Sequence, residues 1–393
     1  MNQVIIIGDS THNTLSAVRS FGEAHIAQVL ILVCHEDTCY VKYSKYLKAN
    51  NLYVVSELDE CMSLLEQLSH VKGQYLMTTF DAAAEWVDTR EAKLSEWFLT
   101  PCRGKQIGNL FNKAAQCELA KLCGLDVPQS VVYDRETSLD GISLVFPLLT
   151  KPLVSSKGAK EDIHICKNIE ELKIALLENS HCQKYLLQQF IEKEYEIDAV
   201  GVSTNQGVVM GGGIHKYRHW PRLVGAGAFG VFENMDSFNV DVQKIEHFLH
   251  ASGYHGPFSV EFLHTKEGKN YFMEVNLRNE GLAYASTCSG ANLHAYYVDA
   301  SKKINWKKFH KTYMMNYSID LLYVKEGDIT IWHWLKDFLR TRCFINICFS
   351  DPVSAYLTKI IYHLLISRIQ LWHFFYIRKC FIVRYCIIYH WKV

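Results

Sequence analysis

Two short alternating stretches constrain this chain more than anything else in it. Phe258-Ser-Val-Glu-Phe262 and Tyr271-Phe-Met-Glu-Val-Asn-Leu-Arg278 place apolar and polar residues in turn, the period of a half-buried strand. The link from Leu263 to Asn270 contains Thr265-Lys-Glu-Gly-Lys269, a turn composition, so the spacing predicts a hairpin. Glu274, Asn276 and Arg278 are two apart and share a face; Glu261 can lie on that face of the neighbouring strand. Two carboxylates and an amide oxygen are the hard ligands that hold Mg2+ while substrate phosphates fill the remaining positions. An arginine beside them suits a phosphate or an acyl-phosphate oxyanion. Alone, the same pattern also describes a solvated face on an edge hairpin.

The rest of the chain narrows the choice. Its 393 residues leave room for about two or three domains, and 49% hydrophobic residues support full cores. A net charge of zero gives no footprint for nucleic acid. The 18 histidines show no close metal-ligand spacing, and the 13 cysteines include no CxxC pair; they read as reduced thiols of a cytoplasmic protein. Met1 to Gly8 lacks a basic start and reads as a first buried strand rather than a signal peptide.

Residues 1–107 alternate strand candidates (Val4 to Gly8, Val29 to Val33, Tyr53 to Val55, Tyr75 to Thr79) with helical spacing. This predicts an α/β layer with a largely parallel sheet. Gly8-Asp-Ser-Thr has one glycine and is not a GxGxxG loop, so a dinucleotide site is not expected. From residue 108 a second unit begins, with a helix from Asn112 to Leu122. Strands are expected at Gln129 to Tyr133, Phe146 to Leu149, Lys184 to Phe190 and Glu196 to Val202, and helices at Ile169 to Asn179, Val240 to Ala251 and Asn292 to Ala300. Residues 304–351 form an extension with a strand (Ser318 to Val324) and a helix (Ile329 to Leu339). Residues 352–393 contain no acidic residue, and Lys359, Arg368, Arg378, Lys379, Arg384 and Lys392 are interleaved with aromatics. Cations inside Leu371 to Trp391 disfavour a spanning helix; an interfacial helix and a tail packed on the protein both remain open.

Ahead of the hairpin, potential phosphate and base contacts occur in a telling order. Lys113 lies on a helix, and Lys151-Pro-Leu-Val-Ser-Ser-Lys-Gly158 is a strand end opening into a small-residue loop. Gln188-Gln-Phe-Ile191 is a strand end followed by Glu192-Lys-Glu-Tyr-Glu196, and the hairpin comes last. Two lysines can neutralise nucleotide phosphates, amides of a Ser/Gly loop can cap them, and strand-end backbone can bond an adenine edge. Each element alone also has a bland reading, as solvated lysines or a charged edge.

The order resembles the ATP-grasp superfamily over about residues 108 to 300. The closest local likeness is to carbamoyl-phosphate-synthetase-type domains, in Lys193-Glu-Tyr-Glu196 and in Glu274-Val-Asn-Leu-Arg278 with Ser286-Thr-Cys-Ser-Gly290. D-aspartate-ligase-like carboxylate–amine ligases share the layout. The resemblance implies α/β and α+β architecture: a Rossmann-like N-terminal domain (1–107) followed by a two-lobed ATP-grasp domain (108–303). Residues 108–195 would be the first lobe and lid, and 196–303 the metal-binding lobe.

Carried over by residue, Lys113 and Lys151 would contact ATP phosphates. The lid would contain Ser155, Ser156 and Gly158. Gln188, Gln189, Phe190 and Ile191 would border adenine, and Glu194 or Glu196 would bind ribose. Glu261, Glu274 and Asn276 would hold Mg2+ (or Mn2+), and Arg278 would stabilise an acyl phosphate. Lys216, Arg218 and Arg222, between glycine-rich turns, are candidates for the γ-phosphate or a substrate carboxylate. The lid sequence has fewer glycines than carbamoyl-phosphate synthetases carry, which puts its phosphate contacts in doubt.

The implied activity is an ADP-forming ligase that activates a small-molecule carboxylate as an acyl phosphate and passes it to an amine. Two alternatives stand beside it: a subunit activating bicarbonate or another small carboxylate, and a non-catalytic nucleotide-binding module docking on a membrane or partner through its tail. A homodimer is compatible with all three.

Overall fold

The computed structural model describes residues 3–34, 39–139, 146–153, 163–178, 183–222, 225–346 and 351. Ser155, Ser156, Gly158 and the basic tail lie outside the described residues. Among the described residues no helix is long and apolar enough to cross a membrane.

Near-continuous apolar runs build the first layer. β1 (Gln3–Gly8), β2 (Ala27–Val33), β3 (Leu52–Val55) and β4 (Tyr75–Thr78) form a sheet of order β3-β2-β1-β4, with all pairings parallel. A parallel sheet must be covered on both faces. α1 (His12–Glu23) covers one face with Leu15, Val18 and Phe21. α2 (Cys61–Leu68), α3 (Asp81–Thr89) and α4 (Glu91–Leu94) cover the other, where Leu65, Trp86, Val87 and Leu94 pack on Ile5, Ile7 and Ile31.

α5 (Lys113–Leu122) starts at Asn112, whose side chain accepts from the N–H groups of Ala114 and Ala115, a side-chain N-cap. A small lobe follows: β5 (Ser130–Asp134), β6 (Leu148–Pro152), β7 (His164–Cys166), α6 (Ile169–Glu178) and β8 (Lys184–Gln189), in sheet order β5-β8-β6-β7.

The large sheet is assembled from β9 (Tyr195–Thr204), β10 (Gly207–Trp220), β11 (Ala226–Glu233), then, after α7 (Val242–Ser252), β12 (Pro257–His264) and β13 (Asn270–Asn276). α8 (Tyr284–Cys288) and α9 (Leu293–Val298) lead to β14 (Thr312–Met315), α10 (Tyr317–Lys325), α11 (Ile331–Arg340) and β15 (Cys343–Phe344). The seven strands run in order β13-β12-β9-β10-β11-β14-β15.

Period-two alternation divides this sheet into two faces. Ile197 and Ala199 join the core that contains Phe248 and Leu249 of α7. Val200, Val202, Ile214 and Phe232, on the other face, pack with α1, α8 and α9 in the core that also takes in β1 and β2. Burying each such large side chain stabilises by about 1.5–3 kcal/mol. Glu196 and Asp198 of β9 and Ser259 and Glu261 of β12 continue this second face and form the floor of the candidate site.

Two expectations change. The Ser318 to Val324 strand is α10; its short apolar run fits either period, and the helix turns Asp320 inward, fully buried. Cys34 and Cys39 are bonded to each other rather than reduced, with Cα atoms 6.8 Å apart, within disulfide reach without CxxC spacing. Asp351 returns to the first layer, where Arg19 donates to its carboxylate from Nε at 3.1 Å and Ser44 from Oγ at 2.8 Å; Arg19 and Asp351 are wholly buried.

Candidate active site

Glu261 and Glu274 stand directly opposite each other on β12 and β13, and Ser259 and Asn276 form the next pair on that face. β13 is the sheet edge, and α5 covers it. Gln116 donates from Nε2 to the Val275 carbonyl and accepts from the Val275 N–H, both at 3.0 Å. That clamp satisfies edge backbone groups and holds Lys113, one turn earlier, over the hairpin. Lys113 Nζ lies 2.9 Å from Glu274 Oε2. Burial acts to lower the lysine pKa, but Glu274 and Glu261 outweigh it and the pKa is raised.

Lys151 on β6 is buried beside this pair. Burial, then the Lys113 charge, depresses its pKa. A second buried cation next to Lys113 fits a site that takes up an anion.

The middle of the floor comes from β9 and β10. Asp198 is opposite Glu261, and Lys216 is opposite Glu196. Lys216 Nζ is 3.2 Å from Glu261 Oε2 and 3.6 Å from both Glu196 and Asp198. Desolvation opposes its charge, yet Glu261, Asp198 and Glu196 hold its pKa well above the usual lysine value. Glu196 also meets Lys193 and His219, 3.4 Å from Nδ1. Burial would raise the Glu196 pKa; Lys216, His219 and Lys193 instead bring it down to about 2. Asp198 is fully buried, and desolvation together with Glu280 and Glu261 pushes its pKa well above the usual range. One oxygen each from Asp198, Glu261 and Glu280 lies within 4.8 Å of the others.

Arg278 follows the end of β13. Its Nε donates to Asp81 Oδ1 at 2.6 Å, and its NH2 group donates to Asn276 Oδ1 at 3.2 Å. Asp81 and Glu280 outweigh desolvation and raise its pKa.

The hinge residues lie between the small lobe and the large sheet. Gln188 is buried in the β5-β8-β6 ladder. The N–H groups of Gln189 and Phe190 are committed to the carbonyls of Gln129 and Pro147. A cavity of about 360 Å³ is lined by Gln189, Phe190, Ile191 and Glu192 together with the β12–β13 turn. A larger one, about 610 Å³, lies between the β9–β10 turn and α7; neither is lined by Glu196, Asp198, Glu261, Glu274 or Glu280, and the smaller adjoins the hinge.

Four expected assignments separate from one another here. Glu194 has an exposed side chain at the hinge. Glu196 is locked between Lys193, Lys216 and His219 and reads as a support for Lys216, not a ribose ligand. Arg218 leaves the site altogether. A bulge between Lys216 and Arg218 pairs Lys216 with Gly230 but Arg218 with Phe229, which turns Arg218 to the opposite face. There its Nε and NH2 grip Asp320 at 2.7 and 2.8 Å, and its NH1 donates to Asp337 at 2.7 Å. Arg222 pairs with Asp328 near the surface.

Sequence reasoning missed Asp81, Gln116, Asp198 and Glu280. Asp198 shares the period of Glu196, and Glu280 that of Arg278, so both were in phase. Asp81 and Gln116 carry no local signal.

No protein-family model matches the sequence, and neither does any curated protein. The backbone does match solved structures. An L-amino acid ligase from Bacillus licheniformis aligns with TM-score 0.56 and 17% identity over 78% of this chain and 76% of that one. The biotin carboxylase domain of Hydrogenobacter thermophilus 2-oxoglutarate carboxylase, with MgADP, ADP and bicarbonate, gives 0.58 and 14% over 79% and 73%. An N5-carboxyaminoimidazole synthase from Aspergillus clavatus, with ADP and 5-aminoimidazole ribonucleotide, gives 0.62 and 14% over 80% and 82%. The architecture and these likenesses together establish that the chain has the fold of the ATP-grasp superfamily.

Proposed function

We propose that this protein is an ADP-forming ligase that activates a small carboxylate with Mg-ATP and transfers the acyl group to an amine. The observation that carries the reading is the opposition of Glu261 and Glu274 across one hairpin, with Lys113 and Lys216 each on one of them. Solved structures of the same fold hold ADP or MgADP, which supports the nucleotide.

The donor set fits the metal. Glu261 and Glu274 present carboxylate oxygens and Asn276 an amide oxygen on one face, the hard ligands Mg2+ takes alongside phosphates. When bound, Mg2+ would neutralise charge on the transferring phosphoryl group.

The chain's own residues account for the remaining work. A carboxylate resists amines because its leaving group would be oxide. Attack of a carboxylate oxygen on the γ-phosphorus, with ADP leaving, gives an acyl phosphate; attack of an amine on its carbonyl carbon then expels phosphate, and the nitrogen loses a proton. In this reading Lys113 and Lys151 would meet the nucleotide phosphates, and Lys216 and Arg278 the charge that develops on the transferred group. Glu196 holds Lys216 charged and fixed. The hinge at Ile191 and Glu194 would border the nucleoside.

Hydroxylamine tests this reading. With Mg-ATP and a panel of carboxylates, the protein is expected to release ADP and form a hydroxamate with a subset of them. ADP and hydroxamate both failing to appear across the panel would reject it. A second reading, bicarbonate activation, is favoured by the bicarbonate in the biotin carboxylase domain; ADP release stimulated by bicarbonate alone would select it.

A further inference from the structure

Open α/β sheets bind ligands in the crevice at the carboxyl ends of their strands, where the strand order reverses. In the N-terminal sheet that point lies between β1 and β4. Here the crevice is filled by the catalytic sheet's own chain. Asn279 donates from its backbone N–H to the Thr78 carbonyl at 3.0 Å and from Nδ2 to the Asn13 carbonyl at 2.7 Å. Gly281 donates its N–H to Asn13 Oδ1 at 2.7 Å, and a Cβ on Gly281 would lie 2.1 Å from the His12 ring, so a larger residue would have to displace that ring. Asn279 is wholly buried, and His294 Nε2 reaches its Oδ1 at 2.7 Å.

Plugged in this way, the segment turns Glu280 toward Ser259 and Arg278 toward the hairpin. Arg278 emerges beside Asp81, the first residue of α3, and Asp81 takes its Nε–H at 2.6 Å. The other end of the guanidinium is bonded to Asn276, within the proposed metal set. An arginine side chain has several free torsions, and a carboxylate on Nε removes much of that freedom. Asp81 sits in the first turn of α3, where a carboxylate is stabilised by the helix N-terminus, and it is part-exposed, so the pair is not needed to satisfy a deeply buried charge.

We propose that Asp81 is a positioning residue for Arg278, and that the N-terminal sheet uses its ligand crevice as a socket for the catalytic loop instead of as a nucleotide site. The catalytic half of the proposal rests on the ligase reading above; the geometric half does not.

The test uses the full chain labelled with [15N]arginine. Comparison with Arg278→Lys assigns the Arg278 Nε–H, which is expected to exchange slowly with solvent. In Asp81→Asn its exchange should quicken at least about tenfold while the protein stays folded. With Mg-ATP, hydroxylamine and a carboxylate found by the trap, Asp81→Asn should lower kcat by about 10- to 100-fold and leave the KM for ATP within about twofold. Asp81→Glu should recover part of the rate, and Asp81→Asn with Arg278→Lys should be no slower than Arg278→Lys alone. Asp81→Ser serves if Asp81→Asn does not fold. Unchanged Nε–H exchange, or rate losses that multiply in the double variant, would overturn the proposal. Absence of hydroxamate from the wild-type chain rejects the ligase reading instead, and the exchange measurement still judges the socket.

Discussion

Lys113 Nζ lies 2.9 Å from Glu274 Oε2, so the helix preceding the small lobe is tied by charge to the edge strand of the large sheet. In the proposed reaction this pair would set a cation beside the nucleotide phosphates and the divalent ion. Glu274→Gln keeps the shape and removes the charge. It is expected to reduce hydroxamate formation by about 10²–10³-fold, with circular dichroism and the melting curve close to wild type; a rate near wild type would remove Glu274 from the site.

Lys216 faces Glu196, Asp198 and Glu261 from a nearly buried position. Taking away this cation leaves carboxylates uncompensated. Lys216→Met should therefore destabilise the chain by about 3–5 kcal/mol at neutral pH, the cost of breaking a buried pair. Adding Asp198→Asn should restore part of the loss. Urea denaturation of both variants measures it.

Arg218 separates stability from activity. Its guanidinium joins Asp320 and Asp337, both buried, on the face away from the cleft. Arg218→Met should cost about 3–5 kcal/mol yet leave the hydroxamate rate of the folded fraction within about twofold. A selective fall in kcat without loss of stability would return Arg218 to the chemistry.

His294 sets a pH dependence. Burial drives its pKa down to about 3, whereas a histidine in an unfolded chain protonates near pH ~6.5. Between those values the unfolded chain binds a proton that the folded chain refuses, so stability rises with pH. The contribution is complete above pH ~6.5 and disappears as pH falls toward about 3, with a limiting slope of ~1.4 kcal/mol per pH unit. Urea midpoints between pH 7 and pH 4 (roughly the span of this window) should fall for wild type and fall less steeply for His294→Gln.

The hairpin was legible in the sequence because two independent signals coincide there: period-two burial and a set of hard oxygen ligands in phase. The parallel first layer was legible from its apolar runs. Asp198 was not, since its place opposite Glu261 depends on β9 pairing with β12, which no local pattern reveals. Gln116 escaped for a related reason, because its role comes from capping an edge strand 159 residues away. Arg218 misled because simple alternation puts it beside Lys216, and the bulge that reverses it has no signature in the residue types. In α10 the seven residues Ser318 to Val324 admitted both periods, and as a helix they bring Asp320 to Arg218.

The union of Arg19 with Asp351 governs how this molecule can be handled. A guanidinium sealed inside the first helix layer depends on an acidic partner supplied more than three hundred positions later. Trimming or tagging that starts before residue 351 would strand that cation without a counter-ion and loosen the very layer against which Asn279 and Gly281 are held, so shortened versions of the protein should retain Asp351 and begin their cut beyond it.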